Sequence, residues 1–483
     1  MNFLYTLRIL GILLMFFSTA QLLPASVAYY FQEYVLIKVF FNTLLATFIC
    51  GFLLYILSAT RKEDLRTKDG FIITVLFWTV LSIFGSFPLI FAEELDISYI
   101  DALFESISGL TTTGATVLTG LDELPRSILF YRQLLQWLGG MGIIVLAVAV
   151  LPLLGIGGMQ LYKAETPGPL KNSKLTPRIT ETAKALWYVY LTMTIVCASA
   201  YKFFGMTTYD AICHAFSTVS IGGFSTHDEN FGFFTQASIK WTAVIFMVIA
   251  GINFGLHYIA WNKRRLLHYF YDSEVKAYFL ILLSVFVVTF LTLGIYLEDP
   301  GTNLIQESAF QVVSIVTTTG FLTANYSNWP LFVPILLLLT AFIGACAGST
   351  GGGIKVVRTL VLAKQSAGEI TKLIHPNAVI SIKLGKKAVS PRVTESVWGF
   401  FSIYVIVFII LFLFLLAQGN DFITSFSAVG ATLNNLGPGL GEVSNNYQSL
   451  SDYSKLGLCM AMLLGRLEIF TLLVLFTHAF WKK

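Results

Sequence analysis

Charge is what this chain is short of. Only 12% of its 483 residues are Asp, Glu, Lys or Arg, about half the share a soluble globular domain carries. The long apolar stretches hold almost no acidic residues, which leaves no midplane carboxylates for a proton-coupled carrier of organic solutes. They also lack a Ser/His pair, an HExxH string and paired aspartates, so an intramembrane enzyme is disfavoured. Cysteine is sparse as well. Cys50, Cys197, Cys213, Cys346 and Cys459 are too scattered for a disulfide framework or a metal site with close ligand spacing.

Apolar surface is abundant instead, at 56% hydrophobic and 15% aromatic residues. Stretches such as 71–92 ("FIITVLFWTVLSIFGSFPLIFA") and 396–417 ("SVWGFFSIYVIVFIILFLFLLA") carry no charge and are long enough to cross a bilayer. Ten such spans start near residues 9, 39, 71, 133, 185, 241, 279, 331, 396 and 456. An all-α polytopic membrane protein is expected.

The few charges are placed in alternate loops. Arg61, Lys62, Arg66 and Lys68 lie between the second and third spans, and Lys163, Lys171, Lys174, Arg178 and Lys184 between the fourth and fifth. Lys263, Arg264, Arg265 and Lys276 follow the sixth, a basic loop from Lys364 to Arg392 follows the eighth, and Lys482 and Lys483 end the chain. The intervening loops are almost free of Lys and Arg, so the basic loops and both termini are expected to be cytoplasmic. Membrane topology explains this spacing, and no nucleic-acid partner is implied. The N-terminal segment has the look of a signal peptide, with Arg8, an apolar run and "ASVA". A second span and a basic loop follow in register, and it is read as the first span.

Four of the outer loops repeat one unit. After the third, fifth, seventh and ninth spans come "DALFESISGLTTTGATV" from Asp101, "DAICHAFSTVSIGGFST" from Asp210, "ESAFQVVSIVTTTGFLT" from Glu307 and "DFITSFSAVGATLNNLGPG" from Asp421. Each reads as an acidic residue opening a short helix, where it complements the helix dipole. A Thr/Ser/Gly string then stops the helix, and another span follows. Counting forward from the acid, one step reaches Gly114, Gly223 and Gly320, whereas Gly437 is reached with a short insertion. Every unit begins and ends on the basic side, so the repeats run parallel and fit a pseudo-fourfold ring around one pore. The expected organisation is two N-terminal transmembrane helices (1–68), then repeats at 69–170, 171–268, 269–375 and 376–483.

Non-helical backbone at membrane depth is tolerated where it lines a water-filled path or is buried in protein. Four strings around one axis would line such a path with carbonyls able to replace the hydration shell of an alkali cation. The candidate ion ligands are Thr111, Thr112, Thr113 and Gly114; Ser220, Ile221, Gly222 and Gly223; Thr317, Thr318, Thr319 and Gly320; and Asn434, Asn435, Leu436 and Gly437. No Lys or Arg lines the strings, which disfavours an anion pore. His214 and His257 read as packed or hydrogen-bonded residues.

Two further features suggest a gate. "IGACAGSTGGGIK", 343–355, places Gly348, Ser349, Thr350, Gly351, Gly352 and Gly353 in the eighth span, where a helix is badly compromised. It is no nucleotide-binding P-loop, since Ile354, Lys355 and Val356 follow the last glycine. Close helix packing and an intramembrane loop below the strings are both open readings. Arg466 stands in the middle of the tenth span, where a charge is a functional candidate by default. It would repel a passing cation, cap loop carbonyls, or do both. Glu468, two residues away, points to another face of the helix, so the partner of Arg466 is expected elsewhere.

With "TTTGA", "SIGGF", "TTTGF" and "NNLGP", together with "QWLGGMGI" at 136–143 and "AGSTGGGIK" at 347–355, the chain resembles the Trk/Ktr/HKT superfamily of potassium transporters over essentially its whole length. Within that superfamily it is similar to the Trk-type bacterial membrane subunits. The resemblance implies four membrane–pore-loop–membrane units preceded by two helices, and a homodimer in a bacterial inner membrane with a pore in each protomer. It further implies a cytoplasmic TrkA-like nucleotide-binding regulatory subunit, the 348–353 loop as gate and Arg466 facing the pore beside it. In relatives, serine in place of the first-string glycine accompanies sodium transport, so Gly114 implies potassium as the transported and bound ion. No organic cofactor is implied. Proton- or sodium-coupled symport and a less selective Na/K pathway stand as alternatives.

Overall fold

The structure, a computed structural model, describes residues 3–58, 67–142, 179–265, 267–296, 303–385 and 387–482. Of the basic residues noted above, Arg61, Lys62, Arg66, Lys163, Lys171, Lys174, Arg178 and Lys483 lie outside these, as does the last residue of "QWLGGMGI". The described residues are helical except for loops and one antiparallel pairing of Lys383–Leu384 with Lys387–Ala388.

Two N-terminal helical segments come first, Phe3–Ala20 running into Leu22–Tyr30, then Tyr34–Leu57. They touch through Gly11 and Gly51. A Cβ on either would meet the other's carbonyl oxygen, at 2.5 and 2.7 Å. Lipid gives helices no hydrophobic reason to associate, so small residues that permit close backbone contact supply the attraction.

Four units follow. In each, a long first helix leads to a short helix, a polar string and a second helix. The first helices are Thr67–Ile90, Ile179–Phe203, Ser273–Tyr296 and Pro391–Ala417. The short helices are Tyr99–Leu110, Thr208–Ser220, Leu304–Val316 and Phe422–Leu433. The second helices are Arg126–Gly140, Ala237–Ala250, Val333–Ile343 and Asp452–Arg466. The first helices contribute much of the outer surface; in Pro391–Ala417, the large apolar side chains of Ile406, Ile410 and Leu413 are exposed, as hydrocarbon demands. The short helices are almost wholly buried past their first turn. Each of them packs on the second helix of the preceding unit, and the first unit's short helix packs on the second helix of the fourth. The four units therefore close into a ring.

Two expectations need correction. The second helices of the second, third and fourth units are not straight spans. Ala237–Ala250 bends by 93° into Phe254–Lys263, and Asp452–Arg466 bends by 105° into the segment from Phe470. The third is interrupted by residues 344–355 before Val356–Ile374 resumes. Nor is there an insertion ahead of Gly437. Ser98 and Thr207 are the N-caps of the first two short helices, accepting from the amides of Asp101 and Asp210, whereas Asp421 is itself the cap of the fourth, accepting from Ile423 and Thr424. Counted from the cap, Gly114, Gly223 and Gly437 are equally distant. The acid merely occupies the capping position in the fourth unit, the third helical position in the first two and the fourth in the third, and each placement complements the helix dipole.

Candidate functional site

Each polar string leaves its short helix through one left-handed residue. Thr112, Ile221, Thr318 and Asn435 have φ of 56°, 55°, 64° and 52°, and two residues later Gly114, Gly223, Gly320 and Gly437 have φ of 79°, 81°, 81° and 100°. A left-handed side-chain-bearing residue costs about 1–3 kcal/mol and persists only when its surroundings over-determine it. The fourth string has this backbone register even though its residues differ.

The glycines answer to more than their φ. A Cβ on Gly114 would lie 2.1 Å from the carbonyl oxygen of Gly222, on Gly223 2.1 Å from that of Thr319, and on Gly320 2.0 Å from that of Leu436. On Gly437 it would lie 2.7 Å from the carbonyl oxygen of Thr113. Every glycine is thus met by the residue that precedes the next unit's glycine, and the fourth closes on the first. The structure brings all sixteen string residues into one ring, buried except for the half-buried Gly114. All four glycines also line a cavity of about 550 Å³, together with Arg132, His227, Asp228, Glu229 and Asn325. This cavity lies on the side away from the 344–355 loop and is called the outer vestibule below.

Side chains tie the strings down. Thr111 and Thr113 share a 2.7 Å hydroxyl contact, and Thr317 and Thr319 repeat it at 2.7 Å. In the fourth string amides take over. Asn435 Nδ2 donates to Thr113 Oγ1 at 2.9 Å, crossing to the first unit, and Asn434 Oδ1 accepts from the Tyr404 hydroxyl at 2.7 Å. Thus "NN" stands where the first and third units have "TT", and its longer side chains reach Thr113 and Tyr404.

The glycine-rich loop lies against the opposite side of the ring. Gly352 N donates to Thr318 Oγ1 at 2.7 Å and Thr350 Oγ1 to the carbonyl of Val219 at 3.0 Å. Lys355 Nζ donates to Gly351 O within the loop. The loop also pairs with the break in the second unit, Cys346 N with Gly251 O and Phe254 N with Gly348 O. From outside, Glu274 Oε1 accepts from Ala347 N at 2.7 Å and Val357 N at 3.2 Å, one at each end of the loop. Arg466 joins loop and ring. Its Nη1 donates to Thr112 Oγ1 at 3.1 Å and to Thr350 O at 3.4 Å, and its Nη2 to Gly139 O at 2.6 Å. Its guanidinium lies 5.1 Å from the Trp78 ring. Glu468 pairs with Arg358 at 2.6 Å instead.

The acids heading the short helices take different partners. Asp101 pairs with Lys455 at 2.6 Å. Asp210 accepts from Thr226 Oγ1 at 2.9 Å and lies 3.5 Å from His227 Nε2. The other His227 nitrogen meets Asp122 at 2.5 Å, in the loop after the first string. Burial alone would lower the pKa of His227, but these two carboxylates outweigh it and raise it above the ordinary histidine value. His214 Nε2 meets Ser225 Oγ at 3.0 Å, and His257 is held between Tyr269 and the carbonyl of Ile249.

Glu105, Arg132, Gln133, Gln136 and Glu274 escaped the sequence reading. Glu105 and Arg132 form an ion pair of 2.6 Å at 0% and 1% side-chain exposure. Charged residues inside apolar segments were a usable signal. Arg132, Gln133 and Gln136 also share one helix face by their spacing.

Comparison with known proteins adds an independent line. The TrkH family profile, described as cation transport protein, matches residues 36–483. The chain is 52% identical over 477 residues to the Trk system potassium uptake protein TrkH of Halomonas elongata, covering 99% of each. It is 50% identical over 484 residues to the protein of that name from Escherichia coli strain K12, covering 100% of each. The crystal structure of the potassium transporter TrkH from Vibrio parahaemolyticus superposes with a TM-score of 0.91 at 49% identity over 100% of both chains.

Proposed function

Since this chain belongs to the TrkH family of cation transport proteins, we propose that it mediates potassium uptake across a bacterial inner membrane through one gated pore per chain. The observation that carries this reading is the closed ring of four glycines, each seated against its neighbour's carbonyl. The sixteen string residues form the filter, where carbonyls replace part of the potassium hydration shell. Potassium is here the cargo. The short helices direct their C-terminal ends at the ring, and the partial negative charge there favours a cation.

The 348–353 loop is the gate. It presses on the filter strings from the basic-loop side, and Arg466 bolts it to Thr112. A TrkA-like nucleotide-binding subunit on the cytoplasmic face regulates the loop, and two chains assemble as a homodimer in the lipid bilayer. Each of the four repeats supplies one quarter of the filter.

Expression in cells lacking potassium uptake, with the regulatory partner present, should restore growth at limiting potassium. Rubidium flux should exceed sodium flux in the same cells. Gly320→Ser should erode that preference, because its Cβ meets the Leu436 carbonyl and pushes two strings apart. Membrane expression without rescue would count against the reading.

A further inference from the structure

Burying Arg132 and Glu105 costs several kcal/mol per ion before their attraction is counted. Such a pair is poor value as a stabiliser, and its geometry is the informative part. Glu105, on the first short helix, also accepts from Thr116 Oγ1 at 3.0 Å and from Val117 N at 3.0 Å. Arg132 Nη2 donates to the same Thr116 hydroxyl at 3.0 Å, and Nη1 reaches the Ser225 carbonyl at 3.4 Å. Its guanidinium lies 4.3 Å from the Phe224 ring. Thr116 and Ser225 are each two residues beyond their unit's ring glycine, Gly114 and Gly223. One planar fork therefore spans equivalent points on two neighbouring strings. Gln133 Nε2 donates to Phe224 O at 3.2 Å and Gln136 Nε2 to Gly222 O at 2.5 Å, on the same helix face.

The other units brace the outer flank more weakly. The position of Glu105 is taken by His214 and Gln311 in the second and third units, bonded to Ser225 Oγ and Thr323 N. In the fourth, Ser427 Oγ bonds Leu440. These are neutral contacts within one unit. Charge-assisted bonds are shorter and roughly twice as strong. Among the described residues, this fully buried fork beside the strings and the more exposed His227–Asp122 pair both cross by charge between the outer flanks of the first two units.

We infer that Arg132 is a specificity-determining positioning residue, whose fork sets the distance between the outer flanks of the first two strings and hence the ion size accepted there. Glu105 neutralises it, so the arginine exerts no net repulsion on cations entering the vestibule. The inference rests on the filter reading above.

The test compares two variants in proteoliposomes by their rubidium-to-sodium uptake ratio. Arg132→Lys keeps the charge and loses the planar fork. The double variant Arg132→Met with Glu105→Leu replaces the pair by apolar residues of similar volume, an exchange that folds tolerate. Both should lower the ratio on the order of tenfold, the worth of one charge-assisted hydrogen bond, while cation flux persists and the thermal midpoint of the double variant holds. An unchanged ratio in the double variant would reduce the pair to a folding element. If the double variant gives no monodisperse protein, an unchanged ratio in Arg132→Lys overturns the inference equally. Gly320→Ser is run alongside. A shift there without one at Arg132 defeats this inference alone, and no shift in either defeats the filter reading.

Discussion

Three acceptors from three parts of the chain converge on the guanidinium of Arg466: a string hydroxyl, a loop carbonyl and a helix-end carbonyl. A hydrogen bond to a charged group is worth about 1.5–3 kcal/mol. On the gate reading proposed above, losing one such bond from the seated loop alone shifts the ratio of seated to released loop by roughly ten- to a hundredfold. Arg466→Ala should therefore raise cation flux in proteoliposomes, or weaken its regulation, with the rubidium-to-sodium ratio unchanged. Wild-type flux with wild-type regulation would remove Arg466 from the gate.

His227 poses a different test. Its neighbours are Asp122 and Asp210, with the ring of His214 stacked 6.4 Å away and Phe233 at 3.5 Å. Because its pKa is raised in the folded chain, the charged form contributes stability that is full below about pH 6.5 and is lost as pH rises through the raised value. Thermal midpoints of the purified protein should fall across that interval, and His227→Asn should flatten the fall. An equal pH dependence in the variant would show that other groups cause it.

The glycine-rich loop depends on close backbone approach along its length. A Cβ on Gly352 would stand 1.9 Å from the Asn434 carbonyl in the fourth string. Backbone cannot yield that far, so Gly352→Ala must unseat the loop. Basal flux in the absence of the regulatory partner should rise, and an unaltered basal flux would mean that the seated loop does not close the path.

The same element illustrates a limit of local reading. Residues 343–355 announce a broken helix through their glycines. The second-unit break at 251–253 had a weaker signal, Gly251 and Asn253. The fourth-unit break has only Gly465 ahead of it. Glu468 and Ile469 both take φ of 53° in a stretch, "RLEIF", that local propensity would continue as helix. There the Arg358–Glu468 ion pair joins the turn to the third unit, a partner far off in sequence.

Across the molecule, the four units are unequal copies on an approximate fourfold plan. Two carry "TTTG" with matching hydroxyl pairs, one carries "SIGG" and one "NNLG". Their backbones nevertheless share the left-handed step and the glycine two residues on. The ring therefore constrains backbone more strictly than side chain, and sequence similarity between units fades where backbone similarity does not. The differences fall on the seams: an arginine fork between the first and second units, and an asparagine between the fourth and first.

Scarce charge, long apolar spans and a unit repeated four times were enough to establish an all-helical membrane protein and to locate its polar strings. Those signals are local or periodic, and a bilayer admits few ways to satisfy the backbone. The closure of the ring was not visible there, because a carbonyl that fills the space beside a glycine comes from another unit, and the one that closes the ring, Thr113 against Gly437, comes from the opposite end of the repeat array. The same holds for Arg132 and Glu105, for the acceptors of Arg466 and for the turn at Glu468. Each is a contact between segments remote in the chain, so folding in three dimensions had to choose the partners that composition and spacing leave open.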